Sequence, residues 1–175
     1  MEKILCHFLI GIPASGKSTL ARRIAQLDPP TVIISTDTIR GELFGDEIIQ
    51  GEWGQIEALV IQRIKAAIAS GNPVIYDATN AQKEWRQDIL KKLNFENVSW
   101  LAWWLKAGVK KSQQWNQQRS RIVPDEVIER MAVYLRNNPP RCEEGFIAIE
   151  RIFPDISDRE LKQKINDYHQ QILKT

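Results

Sequence analysis

The run Gly11-Ile12-Pro13-Ala14-Ser15-Gly16-Lys17-Ser18, continued by Thr19, narrows the possible folds of this chain more than any other feature. It matches the pattern G-x-x-x-x-G-K-[ST] at every fixed position. The apolar run Ile4-Leu5-Cys6-His7-Phe8-Leu9-Ile10 precedes it, and Leu20, Ile24 and Leu27 recur after it at helical spacing. A buried strand must therefore end at a glycine, turn tightly and start a helix. Such a turn wraps a polyphosphate with its N–H groups inward. Glycine permits the close approach and the unusual dihedrals, and the helix start adds favourable partial charge. The spacing predicts that residues Gly11–Thr19 hold the phosphates of ATP, with Lys17 reaching the β/γ-phosphates and the Ser18 hydroxyl ligating Mg²⁺. The structural alternative is a glycine-rich turn that happens to contain lysine; the flanking strand and helix argue against it.

Strand and helix patterns alternate along the rest of the chain. Thr31-Val32-Ile33-Ile34, Pro73-Val74-Ile75-Tyr76, residues 98–105 and Phe146-Ile147-Ala148-Ile149 read as further strands. Helices are predicted over 17–27, 38–44, a stripe from Ile56 to Ile68, 82–93, 110–118, 125–137 and 158–173. Alternation with near-continuous apolar strands implies an α/β fold of the P-loop NTPase type: a parallel sheet of about five strands, covered by helices on both faces. The expectation is one domain over 1–175, with a helical lid at about 110–137.

Composition excludes several alternatives. Hydrophobic residues make up 43% and charged residues 26%, the balance of a folded protein rather than a disordered tail. A formal charge of +2 is far below that of a protein dedicated to wrapping nucleic acid. Cys6 and Cys142 form no CxxC pair, and with His7 and His169 they make no zinc cluster at usual spacings. The apolar stretch from Ile4 to Ile12 is too short to span a membrane and lacks a small-residue cleavage site. A cytoplasmic location without membrane association is expected.

Ligands of parallel α/β sheets collect outside the carboxyl ends of the strands. Asp37 and Asp77 each follow a predicted strand. Phosphoryl transfer needs an acceptor hydroxyl held in line and relieved of its proton, and Asp37 is the candidate base. Asp77 resembles the acid that ends a Walker-B strand and holds a water on Mg²⁺. In the purely structural alternatives Asp37 caps the helix from Thr38 and Asp77 forms an Asx turn. Arg40, three residues past Asp37, stands on the acceptor side or on an exposed helix face.

Gln117-Gln118-Arg119-Ser120-Arg121 joins two helical patterns, the second opening with Pro124, Asp125 and Glu126. A loop with two arginines between two helices suits a lid closing on a triphosphate, with Arg119 ahead of Arg121 as the charge-neutralising residue. Otherwise the arginines complement the preceding helix's dipole. Trp100, Trp103 and Trp104 belong to a strand and read as core, whereas Trp53, Trp85 and Trp115 are left undecided between core and surface. The last helix, with Leu161, Ile165, Tyr168 and Ile172 in a stripe, reads as a packing helix.

Several segments together resemble the kinase family typified by the 5′-kinase domain of phage polynucleotide kinase, with its zeta-toxin-like relatives. They are Gly-Ile-Pro-Ala-Ser-Gly-Lys-Ser-Thr (11–19), Ser-Thr-Asp-Thr-Ile-Arg (35–40), Tyr-Asp-Ala-Thr-Asn (76–80), Asn-Gln-Gln-Arg (116–119), Val-Pro-Asp-Glu-Val-Ile (123–128) and Glu-Glu-Gly-Phe (143–146). The resemblance implies that Lys17 and Ser18 hold donor phosphates and Mg²⁺, and that Arg119, with Arg121, contacts ATP. It implies that Asp37 is the base and that Arg40 contacts the phosphate beside the acceptor hydroxyl. Asp77 and Asn80 then belong to the acceptor pocket, a role for Asp77 that competes with the Mg²⁺ one. Members often carry arginine before the lid asparagine, where this chain has Trp115, so donor contacts are expected to be rearranged. With no phosphatase or ligase segment, only the kinase half of a repair enzyme is expected. The implied activity is ATP-dependent phosphorylation of a hydroxyl, foremost the 5′-OH end of DNA or RNA. The rivals are a small-molecule kinase acting on a sugar, nucleotide-sugar or antibiotic, and a regulatory module that hydrolyses ATP slowly.

Overall fold

The strand β1 (Ile4–Ile10) is buried along its whole length, as its unbroken apolar sequence requires. The computed structural model describes residues 3–174. Four more strands accompany β1: β2 (Val32–Ser35), β3 (Val74–Asp77), β4 (Val98–Leu105) and β5 (Phe146–Ile152). All neighbours pair in parallel, in the order β2-β3-β1-β4-β5. The helices are α1 (Lys17–Leu27), α2 (Thr36–Phe44), α3 (Trp53–Ala69), α4 (Lys83–Lys92), α5 (Val109–Asn116), α6 (Asp125–Asn137) and α7 (Asp158–Ile172).

The strand period of two divides the core between two faces. Ile4, Cys6, Phe8 and Ile10 join Trp100, Ala102 and Trp104 under α3, α4 and α6. Leu5 and Leu9 join Leu101, Trp103 and Leu105 under α1 and α7. The three strand tryptophans are thus core residues on both faces. Edge strand β2 departs from the expected double cover, with Val32 and Ile33 each 37% exposed.

Several boundaries differ from the sequence reading: β3 ends on Asp77 itself rather than before it, and α3 opens at Trp53, ahead of the stripe from Ile56. α2 begins at Thr36 rather than Thr38, because Ser35 is its N-cap and its hydroxyl accepts from the Thr38 N–H. Asp37 is therefore not the cap; it sits in the first turn, where the helix dipole favours a carboxylate. α5 stops at Asn116, which leaves Gln117 and Gln118 in the loop. β5 runs on to Ile152 through two charged residues, because Glu150 is engaged by α7: Lys164 Nζ and the Tyr168 hydroxyl donate to it at 2.9 and 2.7 Å.

Candidate active site

The register aligns Ser35 of β2 with Asp77 of β3, and β3 lies beside β1, so the turns after these strands open on one crevice. Between β1 and α1 the chain turns through left-handed backbone at Ala14 (φ 57°) and Gly16 (φ 97°). Such dihedrals direct successive N–H groups into one concavity, an anion-binding nest. At Gly11 a Cβ would lie 2.9 Å from Ser15 Oγ and 3.3 Å from the Leu105 carbonyl oxygen, so the turn favours glycine there. The Gly11 N–H donates to the Thr79 carbonyl at 3.1 Å, tying the loop to the segment after β3.

Lys17, only 9% exposed, donates from Nζ to the Ile12 carbonyl at 2.8 Å. An ammonium has three donors, so two remain for a ligand. Ser15 Oγ is also buried within the loop and has no hydrogen-bond partner among the described residues. Burial lowers the Lys17 pKa to about 8; the carboxylates of Asp77 and Asp37 oppose this, and Arg119 adds to it. Lys17, Asp37, Asp77 and Arg119 thus form one electrostatic unit.

Ser18 Oγ donates to Asp77 Oδ2 at 2.8 Å. Burial raises the Asp77 pKa, while Lys17 and the Ser18 hydrogen bond restrain the rise. A hydroxyl paired with one carboxylate suits Mg²⁺, which takes few protein ligands and completes its octahedron with water and phosphate. The described residues offer no group of three or more His, Cys, Asp or Glu that could cage a metal unaided.

Asp37 Oδ1 receives two guanidinium groups, Arg40 Nη1 at 2.8 Å and Arg121 Nη1 at 2.9 Å. The carboxylate is 40% exposed while the arginines are 14% and 16% exposed. The structure thus brings Arg121, rather than Arg119, into direct contact with Asp37; Arg119 lines the same cleft and is exposed. The arginine loop is pinched shut at its base. Asn116 Nδ2 donates to the Val123 carbonyl at 2.6 Å, and the Val123 N–H donates back to Asn116 Oδ1 at 3.0 Å.

Asn80 is held differently. At φ 51° it turns the chain after β3, and its amide donates inward to the Leu9 carbonyl at 2.7 Å. It lines the cleft, but its amide nitrogen braces β1. Behind it, the fully buried Arg86 donates to the carbonyls of Asn80 and Ala81, both at 3.1 Å.

Ser15, Lys17, Ser18, Asp37, Arg40, Asp77, Asn80, Arg119 and Arg121 line one cleft of about 720 Å³. Its lining includes the three tryptophans that sequence reasoning left undecided, Trp53, Trp85 and Trp115. A second pocket of about 270 Å³ opens beside Gly16 and Thr19, walled by Leu105, Trp115, Phe153 and Ile156. Phe153, 63% exposed, escaped the sequence reading because it lies just past a strand end in no motif.

Known proteins share this architecture. A family model described as an AAA domain matches residues 6–137, and the chain belongs to that family. A putative kinase from Chloroflexus aurantiacus superposes with a TM-score of 0.77 at 16% identity, over 98% of each chain. Kti12 of Chaetomium thermophilum, in complex with ADP-AlF3, gives 0.71 at 19% identity, over 93% of this chain and 97% of that one. A chain of the Pnkp1/Rnl/Hen1 RNA repair complex gives 0.69 at 23% identity over 78% of this chain; the present chain spans only 45% of its length. At these identities the likenesses speak for the fold. Family and fold give this chain the α/β architecture of the P-loop NTPases, a fold that it shares with proteins described as kinases. No helix among the described residues is long and apolar enough to cross a membrane.

Proposed function

We propose that the chain, working as one domain over 1–175, is an ATP-dependent kinase that phosphorylates the 5′-hydroxyl end of a polynucleotide. The observation that carries the reading is the juxtaposition in one cleft of an anion nest with Lys17 and a carboxylate, Asp37, flanked by two arginines. Hydrolysis of ATP also uses a residue that orients water and an arginine beside the γ-phosphate. The second arginine is therefore what favours an acceptor: paired guanidinium groups on the base suit a hydroxyl that neighbours a phosphodiester.

In this mechanism Gly11, Ile12, Pro13, Ala14, Ser15, Gly16, Lys17, Ser18 and Thr19 wrap the donor phosphates. The apolar pocket beside Thr19 takes the nucleobase, with Trp115 and Phe153 as its walls. Ser18 directly, and Asp77 through water, would hold Mg²⁺; their hydrogen bond favours this over an acceptor role for Asp77. When bound, Mg²⁺ would neutralise charge on the donor phosphates. The acceptor oxygen attacks the γ-phosphorus in line. Its proton passes to Asp37, the new O–P bond forms, the bridging O–P bond to the β-phosphate breaks, and ADP leaves. Lys17 and Arg119 stabilise charge on the transferring group. Arg40 holds the acceptor phosphate, and Arg121 exchanges its contact with Asp37 for the triphosphate as residues 110–137 close as a lid.

The likeness to a chain of an RNA repair complex supports a polynucleotide acceptor. A gluconokinase from Sinorhizobium meliloti and a shikimate kinase from Acinetobacter baumannii carry the same fold, so a small-molecule acceptor is the competing outcome. Labelled ATP is offered with 5′-OH DNA, 5′-OH RNA or a metabolite pool at several salt concentrations. Label on the oligonucleotides, falling steeply with salt, is the expected result. Label only on a metabolite, or on no acceptor at all, would overturn it.

A further inference from the structure

Trp53 opens α3, Trp85 lies in the first turn of α4, and both face the cleft. Their rings stack with centroids 6.4 Å apart and planes inclined by 22°. That separation is at the loose end of the about 4.5–7 Å found for aromatic pairs. The two side chains remain 42% and 49% exposed. Two large aromatic rings half in water at the mouth of a polar cleft do little for the core, which is complete without them. Their position is nonetheless fixed. α3 and α4 pack on the same face of the sheet, and Lys92 of α4 donates to both Glu57 oxygens of α3 at 2.9 Å.

The surroundings indicate the ligand. The cleft that holds the pair is lined by Lys17, Arg22, Arg40, Arg119 and Arg121 against only two carboxylates, Asp37 and Asp77. Aromatic rings interleaved with cations are the combination that binds single-stranded nucleic acid: cations track the backbone and rings stack on bases. α3 follows α2, the helix that presents Asp37 and Arg40, and α4 follows β3, so the pair stands on the acceptor side. The donor nucleobase pocket lies at the other end, against β4 and the segment after β5.

We propose that Trp53 and Trp85 form an aromatic bracket that stacks on a base within the first nucleotides of the acceptor strand. This rests on the polynucleotide reading above and adds to it a base-stacking, sequence-tolerant subsite. Because every base presents a π-face, the bracket supports single-stranded ends of any sequence and disfavours ends whose bases are held in a duplex.

The test is a double-mutant cycle between protein and substrate. Trp53→Ala, Trp85→Ala and the pair are assayed on 5′-OH single strands with an abasic site at the first, second or third nucleotide. On intact strands the double variant should lose roughly 5- to 100-fold in kcat/KM for the acceptor, with KM for ATP unchanged and most of the loss restored by Trp53→Phe/Trp85→Phe. At one abasic position the variants and the wild type should become equal. Quenching of tryptophan fluorescence by a 5′-OH trinucleotide, lost in the double variant, reports binding without turnover. Unchanged acceptor kinetics, or additive effects at all three positions, would overturn the bracket alone. Wild-type protein that neither phosphorylates nor binds any oligonucleotide would overturn the acceptor reading and the bracket together.

Discussion

Two clusters of buried charge in this molecule are built in opposite ways. Around Arg86 every donor is matched. Its Nε and one Nη2 proton reach Glu144 at 2.6 and 2.8 Å, and the remaining three protons reach the carbonyls of Asn80, Ala81 and Asn138, each at 3.1 Å. Around Lys17 the matching is incomplete. One donor meets the Ile12 carbonyl, while Ser15 Oγ and Arg40 Nε are buried without a partner among the described residues. Buried polar groups are costly unless satisfied. A saturated cluster locks neighbouring segments together, whereas unsatisfied donors beside a cleft are free to meet a ligand. The first lies in the scaffold behind the loop after β3, the second along the cleft in front of it.

The sharpest way to break this contrast is Lys17→Ala. Phosphate transfer should fall by about 10³-fold or more, whereas thermal unfolding should be unchanged or shifted upward, since burial disfavours the Lys17 charge. A variant losing stability along with activity would make Lys17 scaffold. Next in size, Asp37→Asn should cost about 10²–10⁴ in turnover while ATP affinity, measured by calorimetry, stays near that of the wild type. An active Asp37→Asn enzyme would remove the base from the mechanism.

Arg86→Ala inverts the pattern. Stranding buried Glu144 should cost about 3–5 kcal/mol of stability in denaturant unfolding, and Arg86→Lys should recover little because an ammonium cannot reproduce the planar fork. A loss under about 1 kcal/mol would show that saturation is not what holds this region.

The smallest effect concerns a third cluster, away from the cleft. Asp28 accepts from His7 Nε2 at 3.1 Å and from His169 Nε2 at 2.9 Å. Indole N–H can only donate, so the Trp103 bond of 3.0 Å to His7 Nδ1 assigns the neutral His7 tautomer with its proton on Nε2. Burial lowers the His7 pKa, whereas the Asp28 hydrogen bond raises that of His169. His169 therefore contributes stability that is complete below its unfolded pKa and lost as pH rises through its higher folded pKa. His7 acts on the other side, where the unfolded chain takes up a proton below about 6.5 that the folded chain resists. His169→Asn should cost roughly 0.5–1 kcal/mol near pH 6, given its partial exposure, and almost nothing at pH 9. An equal loss at both pH values would rule out the charged pair.

Legibility in the sequence followed locality. The phosphate loop, the placement of Asp37 and Asp77 at strand ends, and the burial of the β4 tryptophans were all readable from short patterns, because period, glycine placement and turn chemistry act over a few residues. Trp53 and Trp85 were undecided because one helical turn with a single aromatic has no periodicity to assign a face. The motif holding Asn80 does not disclose that its amide nitrogen donates to the Leu9 carbonyl, a contact visible only once β1 and β3 are neighbours. The pairing of Arg121 with Asp37 spans two loops with no shared pattern.

What the sequence by itself determined was the alternation of strand and helix, the parallel α/β class and the tight glycine-bearing turn between β1 and α1, since each follows from backbone sterics and hydrophobic period. Only the tertiary structure decided which charges meet. The order β2-β3-β1-β4-β5 sets Asp37, Asp77 and Lys17 side by side and puts the apolar pocket at the other end. Electrostatic partnership depends on distance and burial, and both arise only when segments far apart in the chain pack together.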